Sequence, residues 1–373
     1  MDAPDTHIEH MREALALAER GLGHVSPNPM VGAVVVDASS VTIGRGWYAG
    51  PRGAPHAEVR ALAEAGDRAR GATMYSSLEP CDHHASTPPC TDALIAAGVA
   101  RVVVAAADPN PLVDGRGIAR LRAAGIEVIE GVLAEEAHRR NCAFDRHIRT
   151  GLPFVIWKVA ASLDGKTAAH DGSSRWISSP EARADAHRLR AWSDAIVVGA
   201  GTVLADDPQL TVRAPELADV WQPTRVVVDS SGRTDPAAAV FDDGAPTLVA
   251  TTERAPEVRI RAWEAVGAEV IVLEADRSGG VSPIALMAAL GKRDVQGVLL
   301  EGGATLAWSF LREDAIDRIV QYIAPLVVAG ATAHGVVAGA GFAPIDAARH
   351  LNFRRVERVG PDLRVEADVH RDH

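Results

Sequence analysis

The chain has 373 residues, 47% hydrophobic and 23% charged, an ordinary globular composition with room for two domains at roughly 150 residues each. A formal charge of −11 excludes a broad, sequence-blind grip on nucleic acid, although a few arginines in one pocket can still hold a small anion. No run of about 18 apolar residues occurs, and the acidic start Met1-Asp2-Ala3-Pro4-Asp5 lacks the parts of a signal peptide, so neither a membrane span nor export is expected. Three cysteines cannot all pair within one chain, which suits a reducing compartment and makes the cytoplasm the expected location.

The first half alternates helical and strand patterns. Apolar side chains recur at helical spacing over 6–20, and a buried strand follows over 31–36. A helix over 56–65 ends at Gly66, and 73–78 is a strand. A helix over 91–97 closes at Gly98, 101–106 is a strand, 117–124 a helix, 126–130 a strand and 135–148 a helix. Thr150-Gly151-Leu152-Pro153 then breaks the pattern and sets the expected domain boundary, giving domains 1–150 and 151–373. Beyond it, strands are expected over 154–160, 195–199, 225–229, 247–251, 269–273, 298–300, 318–324 and 363–369, with helices over 180–191, 282–290 and 305–311. Helices alternating with β-branched runs predict an α/β fold in both halves.

The chemistry-bearing residues of the first half are His56-Ala57-Glu58, Pro80-Cys81 and Cys90. An imidazole and two thiolates suit zinc and leave a fourth position for water. Glu58, two residues from His56, is placed to move protons without binding metal, the arrangement of zinc deaminases of nitrogen heterocycles. A structural zinc would need a fourth ligand, for which only His83 and His84 stand nearby, and two ordinary buried thiols are the plainer alternative.

Eight residues separate Cys81 from Cys90, more than the two common in nucleoside and nucleic-acid deaminases. With Thr87-Pro88-Pro89-Cys90, Pro27-Asn28-Pro29-Met30-Val31-Gly32 and Asp108-Pro109-Asn110-Pro111, the chain resembles the bifunctional deaminase–reductase family of riboflavin biosynthesis. The resemblance implies that Asn28 holds a pyrimidine and that Asp108 and Asn110 contact its sugar; the plainer alternative is that all three make turns. Ala85-Ser86 departs from the Gly-Arg usual in the family, which weakens a phosphate-gripping role for that loop.

The second half alone offers Gly199-Ala200-Gly201 and Glu301-Gly302-Gly303, short glycine turns that suit phosphate or a tight strand-to-helix turn. No Gly-x-Gly-x-x-Gly opens it. The resemblance continues through Lys158–Lys166, Ser174–Ile177, Leu189–Ala191, Gly201–Pro208 and Leu299–Gly303, in order. It implies a cytidine-deaminase-like domain followed by a dihydrofolate-reductase-like domain that uses NADPH and forms a homodimer. Lys158 and Glu301 are then expected to guide hydride transfer to the sugar, and Arg190 and Arg213 to bind its phosphate. Ser174 and Leu210 would also touch substrate, and Ala160, Trp176, Thr202, Asp206, Ser230 and Gly303 would face NADPH. Two other readings stay open at this point: a deaminase of a free nucleoside, base or RNA with an unrelated second domain, and a zinc-stabilised binding module.

Overall fold

The computed structural model describes residues 4–50, 53–83, 87–111, 113–217 and 219–370. Two compact units divide the chain, Met1–Thr150 and Gly151–His373. Among the described residues no helix is long and apolar enough to cross a membrane.

In the first unit α1 (Pro4–Ala18) precedes β1 (Gly32–Val36) and β2 (Thr42–Trp47). Then come α2 (Ala57–Ala65), β3 (Thr73–Leu78), α3 (Cys90–Ala97), β4 (Arg101–Ala106), α4 (Arg116–Ala123), β5 (Glu127–Glu130), α5 (Ala134–Arg140) and α6 (Cys142–Thr150). The sheet order is β2-β1-β3-β4-β5, antiparallel on both sides of β1 and parallel from β3 to β5. Strand alternation feeds two helical layers. Val34, Tyr75, Val103 and Ala105 pack with Met11 and Leu15 of α1, while Ala33, Met74, Val102 and Val104 pack with Ala61 of α2, Leu94 of α3 and Leu121 of α4. Burial on both faces is why β1 reads as a continuous apolar run.

Two expectations needed correcting here. The strand β2 was not foreseen, because Gly44 and Gly46 interrupt its apolar alternation. Those glycines are required: a Cβ on Gly46 would meet the Ala57 carbonyl oxygen at 2.0 Å, and one on Gly44 the Ala61 carbonyl oxygen at 2.2 Å. The α2 backbone lies directly on β2. The single helix expected over 135–148 is instead α5 and α6, separated at Asn141. The Asn141 side chain binds Met30, its Oδ1 accepting from the Met30 N–H and its Nδ2 donating to the Met30 C=O, each at 2.9 Å.

The second unit runs β6 (Phe154–Ser162), α7 (Pro180–Trp192), β7 (Ala195–Gly199), α8 (Ala200–Asp206), β8 (Thr224–Val228), β9 (Thr247–Thr251) and α9 (Glu257–Ala265). It continues with β10 (Glu269–Val272), α10 (Pro283–Gly291), β11 (Gly297–Leu300), α11 (Ala304–Arg312), β12 (Arg318–Ala324), β13 (Leu351–Val359) and β14 (Asp362–Val369). The sheet order is β10-β9-β8-β7-β11-β6-β12-β14-β13, parallel from β10 through β12 and antiparallel in the last two strands. Val155, Val197 and Leu300 pack with Leu286 of α10 and Phe310 of α11; Ile196, Val249 and Leu299 pack with Ala182 of α7, Val203 of α8 and Trp263 of α9. The helices α8 and α9 and the strand β13 were not foreseen. Only Trp263 is buried in α9, and β13 is exposed on both faces along most of its length, so neither shows an apolar stripe.

The contact between α2 and β2 leaves no room for a methyl group. Gly46→Ala is expected to destabilise the first unit by about 1–3 kcal/mol, as overpacking does, read as a lower first transition in scanning calorimetry. An unchanged transition would contradict this packing.

Candidate active sites

Two helix starts and one strand exit meet in the first unit. His56 is the N-cap of α2, Cys90 opens α3, and Cys81 follows the Leu78-Glu79-Pro80 exit from β3. Their ligand atoms lie within 4.8 Å of one another, the one such His, Cys, Asp or Glu group among the described residues. His56 Nδ1 is 3.1 Å from Cys90 Sγ and 3.5 Å from Cys81 Sγ. The Cys90 N–H, at the positive end of α3, donates to Cys81 Sγ at 3.4 Å. The Cys90 thiol donating to Cys81 pulls the Cys81 thiol down to about 4 against the effect of burial, and His56 adds to the pull. A thiolate, a second sulfur and an imidazole nitrogen around one point fit zinc with three protein donors, the number catalytic zinc sites use. His83 is not part of the group, and His84 lies outside the described residues, as do Ala85 and Ser86.

Glu58 sits in the first turn of α2 and is 3% exposed. It accepts from Ser76 Oγ at 3.3 Å, and its Oε2 lies 3.6 Å from Cys90 Sγ. Burial raises its carboxyl above the usual carboxylate range, against the pull of His56. The ring of Tyr48 stands edge-on to that of His56, centroids 5.8 Å apart, and the Tyr48 hydroxyl accepts from Asn28 Nδ2 at 3.2 Å. Asn28 is thereby one side chain removed from the metal cluster. Asp108 is buried and pushed up to about 6, chiefly by burial, with Glu79, Asp145 and Cys81 adding repulsion. It accepts the Asn110 N–H at 2.9 Å, so it does make the turn that its position beside proline suggests.

Sequence reasoning missed two residues here. Buried Glu79 accepts from the N–H groups of Asp108 at 3.3 Å, Gly115 at 3.0 Å and Ile118 at 3.3 Å, which fixes the loop after β4. Asn141 does the same for the loop that carries Asn28. A glutamate next to Pro80-Cys81 was the one available signal; Asn141 gave none.

In the second unit β6 outruns its neighbour. β11 ends at Leu300 opposite Trp157, and beyond that point β6 pairs with β12 alone. The register puts Glu301 beside Lys158, and Lys158 Nζ lies 3.9 Å from Glu301 Oε2. Arg190 of α7 grips the same carboxylate with both arms, Nε to Oε1 at 2.7 Å and Nη2 to Oε2 at 2.9 Å, while Nη1 donates to the Thr211 C=O at 3.0 Å. Burial alone would raise Glu301, but the charges of Arg190 and Lys158 win and hold it at about 2. Burial lowers the Lys158 ammonium, and Arg190 opposes it too, with Glu301 pulling the other way. Arg190, expected to be given over to phosphate, thus spends three of its five N–H groups inside the protein.

Arg213 is exposed, its guanidinium donating to Gln209 Oε1 and its backbone N–H to His187 Nδ1 at 3.1 Å. Leu210 is buried nearby in sequence, at positive φ, and Ser174 lies in the loop between β6 and α7. Trp176 in that loop is 68% exposed with the Arg183 guanidinium 4.4 Å from its ring centroid.

Of the adjacent strands β7 and β11, the first runs straight into α8 at Gly199, and the second leads through Glu301-Gly302-Gly303 into α11. Gly303 donates its N–H to Thr202 Oγ1 at 3.2 Å, no side chain caps α11, and a Cβ on Gly201 would meet nothing within 4 Å. Bare backbone at a helix start, beside the crevice where parallel strands end, fits a dinucleotide phosphate. Ala160 lies on β6, Asp206 ends α8 and Ser230 follows β8.

Residues 4–106 match the model for the cytidine and deoxycytidylate deaminase zinc-binding region, and residues 153–365 that for the RibD C-terminal domain. The riboflavin biosynthesis protein RibD of Escherichia coli is 42% identical over 364 residues, 95% of this chain and 97% of that protein. The chain belongs to the RibD family. RibD of Mycobacterium tuberculosis is 45% identical over 367 residues, covering 95% of this chain and 96% of its own. Among solved structures, Acinetobacter baumannii RibD matches with a TM-score of 0.86 at 37% identity, covering 99% of this chain and 100% of that one. The Thermotoga maritima diaminohydroxyphosphoribosylaminopyrimidine deaminase/5-amino-6-(5-phosphoribosylamino)uracil reductase matches with a TM-score of 0.86 at 35% identity, covering 98% and 99%.

RibD proteins are deaminases and reductases of riboflavin biosynthesis, and this chain is such a bifunctional enzyme, using zinc and NADPH. The expected fold, a cytidine-deaminase-like domain followed by a dihydrofolate-reductase-like one, is borne out. A nucleoside deaminase with an unrelated second domain is excluded by the match of the second unit, and a binding module without chemistry by the family as a whole.

The geometry makes His56, Cys81 and Cys90 the candidate metal ligands. Protein purified without chelator should carry about one zinc per chain, falling sharply in Cys81→Ser and Cys90→Ser but not in Cys142→Ser, by elemental analysis. Equal loss in the last variant would refute the ligand set.

Proposed function

We propose that domain 1–150 deaminates 2,5-diamino-6-(5-phosphoribosylamino)pyrimidin-4(3H)-one and that domain 151–373 then reduces the ribosyl group of the product to a ribityl chain. The observation that carries this reading is Glu58, a buried carboxyl with a raised pKa against the His56, Cys81 and Cys90 cluster. A purely structural zinc has no use for it. Zinc held by these three residues supplies Lewis acidity and makes a water acidic near neutral pH. Glu58 takes the proton of the water that adds to the amino-bearing carbon and passes it to the nitrogen, so the C–N bond breaks and ammonia leaves. Asn28 holds the pyrimidine, with Asp108 and Asn110 on the ribose.

In the second domain the ribosylamine opens to its imine, NADPH supplies the hydride for C1′, and the imine nitrogen needs a proton. Lys158, less basic than a surface lysine, orients that nitrogen and protonates it. Glu301, kept ionised by Arg190, accepts hydrogen bonds from the ribose hydroxyls. Arg213 and the two remaining N–H groups of Arg190 bind the phosphate. Ser174 and Leu210 complete the substrate side, and Ala160, Trp176, Thr202, Asp206, Ser230 and Gly303 the cofactor side.

Following ammonia release and NADPH oxidation separately tests this division. Glu58→Gln should lower ammonia release by at least about 10², keep its zinc, and oxidise NADPH normally when given deaminated substrate. Lys158→Ala should do the reverse. Loss of both activities in either variant would sink the two-site reading.

The small-molecule enzyme is assigned to the cytoplasm, where its three cysteines, none of them in a disulfide, suit a reducing milieu. We assign it a homodimer through the second domain. β13 is an edge strand with β14 as its one sheet neighbour, and it exposes Leu351, Phe353 and Val356. Open apolar edges are covered in native assemblies. Light scattering should give the mass of two chains, and Phe353→Glu with Val356→Glu should give one. A monomeric parent protein would overturn the assignment.

A further inference from the structure

The stretch 209–214, between α8 and β8, carries Leu210 and Arg213 without regular secondary structure. Side chains hold its backbone instead. Gln222 accepts the Val212 N–H at 2.7 Å and donates to the Val212 C=O at 3.2 Å. Arg190 donates to the Thr211 C=O at 3.0 Å, and Arg225 to the Gln209 C=O at 3.5 Å. The last hold is His187, whose Nδ1 accepts the Arg213 N–H at 3.1 Å.

His187 lies on α7, three residues before Arg190 and so on the same face of that helix. Burial, Arg190, Arg213 and Lys158 all disfavour a charge on its ring, with Glu301 opposing, which brings it down to about 4. The ring is neutral at neutral pH, and because Nδ1 accepts, its proton sits on Nε2. A protonated Nδ1 could not accept, so the surrounding cations preserve the bond to Arg213.

We propose that His187 is a positioning residue of the reductase site, its Nδ1 fixing the Arg213 backbone so that the guanidinium stands ready for the substrate phosphate. The inference rests on the assignment of Arg213 to that phosphate. Releasing one N–H from a segment otherwise held leaves the fold intact and frees the anchor of a single arginine. The loss falls on binding of the remote phosphate, which contributes alike in ground and transition states.

The test uses the full-length enzyme with deaminated substrate and NADPH, and inorganic phosphate as a competing anion. His187→Ala should raise the substrate KM about tenfold, leave kcat within about threefold and the NADPH KM unchanged, and weaken phosphate inhibition in parallel. His187→Asn, which returns an acceptor oxygen near the Nδ1 position, should restore the KM to within about threefold. In the Arg213→Ala background, His187→Ala should add less than about twofold, since the two act as one unit. If the alanine variant fails to fold, His187→Asn against His187→Gln carries the test, because glutamine places its amide near Nε2 and should not rescue. Arg213→Ala without effect on KM or on phosphate inhibition would remove the phosphate assignment itself. Arg213→Ala with a raised KM but His187→Ala silent, or no rescue by asparagine, or an equal loss of NADPH binding, would overturn the role of His187 alone.

Discussion

Parallel strands cannot be joined by tight turns, and that constraint organises both units. Each parallel pair needs a crossover, usually a helix, so helix starts collect at the edge where the strands end. In the first unit α3 follows β3 in this way, and the start of α2, reached from antiparallel β2, arrives at the same place. The chain thereby delivers Cys81, Cys90 and His56 to one point, with two helix N-termini favouring negative charge on sulfur. In the second unit the same logic brings the starts of α8 and α11 together beside the free flank of β6.

The electrostatics of the two sites run in opposite directions. Around Glu58 burial prevails, and the carboxyl is a weaker acid than an exposed glutamate. Around Glu301 two cations outweigh burial, and the carboxylate stays charged. The second arrangement is a fork-on-carboxylate pair with a lysine at its shoulder, and removing one member leaves the others buried with unbalanced charge. That asymmetry gives Arg190 a role inside the protein: it is the largest of the charges that keep Glu301 ionised, and Glu301 in turn supports the charge on Lys158.

Much of this was legible in the sequence, for identifiable reasons. The expected ranges of β3, β4, β7, β9 and β12 match the observed ones, and β4, β7 and β9 are short runs rich in β-branched residues and buried on both faces. The candidate metal ligands were legible because helix-start and strand-exit residues come in compact motifs. β2 was hidden because the glycines that let α2 approach also erase the strand pattern, and β13 because it buries no face of its own. Glu79, Asn141 and His187 were hidden for another reason. Each binds backbone groups far along the chain, 111 residues away for Asn141 and 26 for His187, and a hydrogen bond to backbone leaves no mark on the partner's side chain.

The bond between Asn141 and Met30 also bears on where a deaminase of this kind can end. The matched zinc-binding region stops at residue 106, yet the loop that presents Asn28 is held by a side chain well beyond it. A chain cut between those points would keep every candidate metal ligand and strand β4 while removing the Asn141 partner of the Met30 N–H and C=O. A deaminase cut to its motifs would therefore lack an anchor of the loop that carries Asn28, an anchor supplied by an asparagine in the gap between two helices.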